Sequence, residues 1–167
     1  MGRSGDNGTT SPCGKAARVY FYGTYEHAID ERGRIAVPAG YRQEFIDGGV
    51  VRVNQEGCVE LYTREGFEEE AERRISAEES TRSLSARRTR RSFLAGAFPV
   101  DLDRQGRILL PQAIRTTAGL NGRAAIVGCG DYMEIWERES WNEEQAALAA
   151  AEALVSGVPV TAEDEDP

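Results

Sequence analysis

An aspartate, a glycine and an arginine recur at one fixed spacing in this chain: Asp30, Gly33 and Arg34, then Asp103, Gly106 and Arg107. In such an Asp-x-x-Gly-Arg segment the carboxylate can accept hydrogen bonds from backbone amides two or three residues on and close a tight reversal. The glycine supplies the positive φ that the reversal demands. The arginine is not needed for the turn. Its guanidinium is a planar fork of donors that matches phosphate oxygens, or the O6 and N7 atoms of guanine in a major groove. The repeated turn therefore points to nucleic-acid recognition. The structural alternative is a salt bridge from each arginine to the neighbouring aspartate, or a bond to a carbonyl.

Two aspartates related by an internal repeat could also form the shared-proton dyad of an aspartic protease. Neither aspartate is followed by a Thr/Ser-Gly element, and each stands beside an arginine that holds it ionised, the reverse of what a shared proton needs. The chain has one histidine, His27, whose counterpart in the other copy is Val100. Its three cysteines (Cys13, Cys58 and Cys129) are odd in number and lack metal-binding or redox spacing. The expectation is no catalytic residue, no metal and no cofactor, with reduced thiols in a cytoplasmic protein.

The repeat extends beyond the turn. At an offset of 73, seven of the twenty positions from Gly23/Gly96 to Arg42/Arg115 are identical: Gly, Asp, Gly, Arg, Ile, Pro and Arg. Such a duplication implies two half-domains packed about a pseudo-two-fold axis. Tyr25 to Ile29 and Phe98 to Leu102 read as strands entering the turns, and Arg34 to Val37 and Arg107 to Leu110 as strands leaving them. Pro38 and Pro111 then suit the start of short helices, about Ala39–Ile46 and Gln112–Ala118, which stop at Asp47-Gly48-Gly49 and at Gly119. Val50–Val53 pairs in pattern with Arg123–Val127, and Val59–Tyr62 with Met133–Trp136, now at an offset of 74, so one half holds an inserted residue. A helix closes each half. The first starts near Thr63 with Phe67, Ala71 and Ile75 on one face; the second runs from about Glu139 to Leu154, with Trp141, Leu148 and Leu154 as anchors. The unit is β-turn-β-α-β-β-α, used twice. Tyr25, Phe98, Tyr62 and Trp136 occupy matched strand positions and are expected in the core or a subunit interface, not stacked on bases.

Between the copies a further helix is expected over Glu78 to Leu94, carrying Arg82, Arg87, Arg88, Arg90 and Arg91. It is either a solvated face or a second surface for nucleic acid or a partner. Nineteen of the twenty basic residues are arginine. A GC-rich genome accounts for that bias, so the positions of the arginines inform more than their number.

The chain has 167 residues, the size of one domain or two intertwined halves, and a net charge of −8. The acidity is local: from Asp131 onward the net charge is −10, whereas residues 1–130 carry +2. The acidic end therefore does not prevent the remainder from presenting a basic face. No apolar run is long enough to span a membrane, and residues 1–18 lack the apolar stretch of a signal peptide.

Gly23-Thr24-Tyr25-Glu26-His27, the segments Asp30 to Pro38 and Asp103 to Ile108, and Gly130-Asp131-Tyr132-Met133-Glu134-Ile135-Trp136 closely resemble the MraZ family, bacterial transcriptional regulators with two tandem SpoVT/AbrB-type domains. The resemblance covers about Phe21 to Asn142. It implies an α+β fold, two tandem repeats of a swapped-hairpin AbrB, double-psi-like β architecture with short flanking helices. It also implies a ring-shaped homo-oligomer in the cytoplasm, associated with the nucleoid. The implied partner is double-stranded DNA, read at short promoter direct repeats upstream of the division and cell-wall gene cluster. In the family the repeated turns face the DNA, which carries over onto Asp30, Gly33, Arg34, Asp103, Gly106 and Arg107; Arg32 and Arg104, inside the same turns, complete the candidate set. The expected division is a disordered extension over 1–19, a first repeat over 20–77, an Arg-rich linker helix over 78–94, a second repeat over 95–142, and a C-terminal helix with acidic tail over 143–167. Neither extension has a place in the resemblance. An AbrB-like antitoxin, or an interaction module with a protein partner, is the alternative function.

Overall fold

The duplicated turns lead into Arg-Ile-Ala in one copy and Arg-Ile-Leu in the other, and the period of two in a strand decides which residue of each is inside. In a computed structural model that describes residues 18–76 and 83–156, Ile35 and Ile108 are fully buried while the arginines beside them are only half-buried. These residues form β2 (Arg34–Ala36) and β6 (Arg107–Leu109), which pair antiparallel as a two-stranded ribbon. Ile35 lies opposite Ile108, its own counterpart in the repeat.

The first half comprises β1 (Thr24–Ala28), β2, a 3-10 helix (Ala39–Phe45), β3 (Gly49–Val53), β4 (Val59–Thr63) and α1 (Arg64–Ser76). After α2 (Leu84–Leu94) the second half repeats the order with β5 (Ala97–Val100), β6, α3 (Gln112–Thr117), β7 (Arg123–Gly128), β8 (Met133–Glu137) and α4 (Arg138–Ser156). The β-turn-β-α-β-β-α unit is thus present twice, with the first short helix wound as 3-10. Pro38 and Pro111 stand at the two N-cap positions.

Six strands form one antiparallel sheet in the order β1-β7-β8-β4-β3-β5. The halves are interleaved: β1 pairs with β7 of the second half, and β5 with β3 of the first. At the centre β4 meets β8, with Glu60 opposite Glu134. Glu60 and Glu134 are repeat counterparts, as are Ile35 and Ile108, so an approximate two-fold relation runs through both pairs.

Alternation along the central strands separates two sides of this sheet. Val51, Leu61, Ile126, Met133 and Ile135 pack with Ile35, Val37, Ile108 and Leu110 of the ribbon side. On the opposite side Cys58, Ala125 and Trp136 pack with Trp141 of α4, and Phe67 of α1 and Phe93 of α2 stack at 5.2 Å beside Tyr62. The layers are therefore the ribbon with the 3-10 helix and α3, then the sheet, then α1, α2 and α4.

A charged pair is buried under the helical layer. Arg52 donates to Glu60 across the β3–β4 ladder at 2.5 Å, with both side chains more than nine-tenths covered. The Tyr62 hydroxyl donates to the same carboxylate, and the Arg52 guanidinium lies 4.6 Å from the Phe93 ring centre.

Several sequence expectations change. In α4 only Trp141 is buried; Leu148 and Leu154 are 48% and 85% exposed and anchor nothing within the described chain. The Arg-rich helix starts at Leu84, where the Ser83 hydroxyl caps it by accepting from the Ala86 amide. The expected segment 78–82 of that helix, residues 1–17 of the expected 1–19 extension and the acidic tail from 157 lie outside the described residues, whereas Arg18 pairs with Asp131 and Val19 packs against the core. Tyr62 and Trp136 are core residues as expected, whereas Tyr25 and Phe98 are half-buried.

Candidate nucleic-acid interface

Each turn is built by its aspartate. In the first, Asp30 Oδ1 accepts from the Arg32 and Arg34 amides, both at 2.9 Å, while the Gly33 amide donates to the Asp30 carbonyl at 2.9 Å. In the second, Asp103 Oδ1 accepts from the Gln105 and Arg107 amides, again at 2.9 Å, and the Gly106 amide donates to the Asp103 carbonyl at 3.0 Å. Gly33 and Gly106 have φ of +84° and +75°, where an L side chain is strained. The two turns are one structure made twice.

The arginines are held as well as presented. Arg34 Nε donates to Asp30 Oδ2 at 2.7 Å and Arg107 Nε to Asp103 Oδ2 at 3.0 Å. The salt-bridge alternative is realised, through Nε in both turns. The two arginine side chains remain 29% and 25% exposed. The aspartates are held below the usual carboxylate range, first by the backbone N–H of Arg34 or Arg107. They are therefore ionised acceptors, not a dyad sharing a proton.

The halves also lock to each other. The Val37 amide donates to the Gly106 carbonyl and the Leu110 amide to the Gly33 carbonyl, each at 2.9 Å. Arg107 Nη1 lies 3.6 Å from Asp30 Oδ2, linking one turn to the other. All eight candidate residues thus occupy one region of the ribbon, with Arg32 and Arg104 exposed at the turn tips.

Sequence reasoning passed over two residues here. Arg42 and Arg115, the last identity of the repeat, reach across the two-fold: the Arg42 guanidinium lies over Gly106 and that of Arg115 over Gly33. Their Nε atoms donate to the Val37 and Leu110 carbonyls at 3.0 and 3.1 Å. The signal was the identity itself, but their packing over the glycine of the opposite half could not be read from spacing.

The arginines of α2 belong to a different surface. Phe93 of α2 lies over Arg52, next to Val51, whose side chain faces the ribbon side. The helix therefore covers the sheet face opposite the turns. Arg88 lines an open groove there with Arg52, Arg74, Glu60 and Glu134.

Although cysteine spacing shows no metal motif, the fold brings the ligand atoms of Glu56, Cys58 and Glu134 within 4.8 Å of one another. Trp136 Nε1 donates to Glu134 at 2.8 Å, and Cys58 is buried against Trp136, where burial raises its thiol pKa. No described helix is long and apolar enough to cross a membrane.

The family model described as "MraZ protein, putative antitoxin-like" matches residues 20–92 and again 93–155. A protein of Thermomicrobium roseum named "Transcriptional regulator MraZ" is 43% identical over 132 residues, covering 79% of this chain and 91% of that protein. Relatives of the same name from Paenarthrobacter aurescens and Clavibacter michiganensis subsp. michiganensis are 40% and 36% identical, over 74% and 83% of this chain and 85% and 99% of their own lengths.

Proposed function

The chain belongs to the MraZ family, and on that premise we propose that it is a transcriptional regulator that binds short direct repeats of double-stranded DNA upstream of the division and cell-wall gene cluster. The observation that carries this reading is the pairing of the two Asp-x-x-Gly-Arg turns on a single ribbon, with four arginines on the side of the sheet opposite α2. The aspartates fix each guanidinium through Nε, so donors are positioned before DNA arrives and little side-chain entropy remains to be lost.

One subunit offers one pair of turns and few base contacts. A closed ring of identical subunits repeats that pair at regular spacing, which suits tandem direct repeats and replaces a large single interface with avidity. The interleaving of β1 with β7 and β5 with β3 supports the swapped-hairpin, AbrB-type description of the repeats, with the linker helix between them and the C-terminal helix after them. On this reading the protein works in the cytoplasm at the nucleoid and needs no cofactor.

A second reading is an antitoxin-like module that also holds a protein partner. The exposed Leu148, Leu154 and Val155 in the C-terminal half of α4 favour it, because exposed apolar side chains on one helix are suited to a partner. A mobility-shift titration against the gene's own upstream region, with the repeats scrambled in a control duplex, tests the first reading. Selective shift of the native duplex is expected; equal affinity for both duplexes would remove the claim of repeat recognition.

A further inference from the structure

Gly33 and Gly106 are the tips of turns, yet both are buried, and the cover over each is an arginine from the other half. A Cβ on Gly33 would lie 2.5 Å from the Arg115 guanidinium carbon, and a Cβ on Gly106 would lie 2.3 Å from Arg42 Nε. Arg42 and Arg115 hold these places through a single bond each, from Nε to a backbone carbonyl. No carboxylate among the described residues forms a salt bridge with either, in contrast to Arg34 and Arg107, which are both neutralised by aspartate. The single histidine senses the same excess: burial first, and then the charge of Arg42, push His27 below its ordinary range.

The charges of the two turns and of the arginines that cover them do not cancel. The first turn holds Asp30 and Glu31 against Arg32 and Arg34, and is neutral; the second holds Asp103 against Arg104 and Arg107. Arg42 and Arg115 therefore supply two of the three net positive charges carried by the two turns and the arginines that cover them. We infer that Arg42 and Arg115 are binding residues for the phosphates of a duplex backbone, each placed across the two-fold beside the turn that it covers. The division of labour follows from chemistry. Phosphate contacts position a protein on a duplex without reading sequence, and an uncompensated guanidinium with unspent terminal donors is suited to that task. Because each arginine sits on the opposite turn, the spacing of the two phosphate contacts is tied to the spacing of the two turns.

This inference rests on the DNA-binding reading above and is tested in a way that separates the two. Binding of wild type, Arg42→Gln, Arg115→Gln and the double variant is measured over a range of salt on the native and scrambled duplexes. Thermal unfolding and light scattering monitor fold and assembly. Each substitution should flatten the slope of log K against log salt by roughly 0.9 for every phosphate that a subunit no longer neutralises, leaving the affinity ratio of native to scrambled duplex unchanged. Arg42→Lys and Arg115→Lys keep the charge and should keep the wild-type slope, and they carry the test if the Gln variants do not fold. A folded Gln variant with unchanged slope, or a Lys variant with a flattened one, overturns the phosphate assignment and leaves DNA binding standing. Wild-type protein that binds neither duplex overturns both.

Discussion

Arg107 donates from Nε to its own aspartate, Asp103, while its Nη1 lies 3.6 Å from Asp30 in the other turn. The two turns are thus joined by charge as well as by the Val37–Gly106 and Leu110–Gly33 backbone bonds. Damage to one turn is therefore expected to reach the other.

Replacement of Gly33 or Gly106 by Ala imposes a positive φ on an L residue and drives a methyl group into an arginine. The expected destabilisation is about 1–3 kcal/mol. Combining Gly33→Ala with Arg115→Ala removes the collision but not the backbone strain, so the double variant should recover part of the stability. Urea denaturation of the two singles and the double measures this; full recovery would show that φ carries no cost here.

The aspartates give the turns a defined pH response. Their folded-state pKa values are depressed, so the folded state binds fewer protons than the unfolded chain, and stability rises with pH across the transition. The contribution is complete above the ordinary carboxylate range, about pH 4, and disappears as pH falls through the lower folded values. Asp30→Asn with Asp103→Asn should make the melting temperature less pH-dependent below that point. Identical acid profiles for variant and wild type would contradict the proposed turn chemistry.

The duplicated turn was legible because its chemistry is local: Asp30, Gly33 and Arg34 lie within five residues, and Ile35 reads as inward by alternation alone. Strand exchange between the halves was not legible, since β1 finds β7 about a hundred residues away and no local pattern records that choice. Arg42 and Arg115 were visible as an identity but not as part of the site, because each touches the opposite turn. Leu148 and Leu154 have the spacing of anchors on an Ala-rich helix, yet what lies beside a helix is a tertiary fact. Glu56, Cys58 and Glu134 likewise come together only when β4 meets β8.

The Arg52–Glu60 pair predicts an asymmetric mutational pattern. Arg52→Met alone leaves a buried carboxylate uncompensated and should cost about 3–5 kcal/mol. Adding Glu60→Leu removes that charge and should return much of the stability, although Tyr62 is then without its acceptor. A double-mutant cycle in urea checks the coupling; additive effects would mean that the pair does not act as one.

The central claim is that Arg34 and Arg107 read DNA, and binding of the native promoter duplex by Arg34→Ala and Arg107→Ala tests it most directly. Both arginines are partly exposed, so folding stability should change by no more than about 1 kcal/mol, and assembly should be unaltered. Removing a bidentate hydrogen-bond pair to a base costs on the order of 1–3 kcal/mol, repeated in every subunit on the DNA, so promoter affinity should collapse and the preference over scrambled duplex should relax with a nearly unchanged salt slope. Variants that stay folded and assembled yet bind the promoter with wild-type affinity and preference would contradict the account and move the search to the arginines of α2.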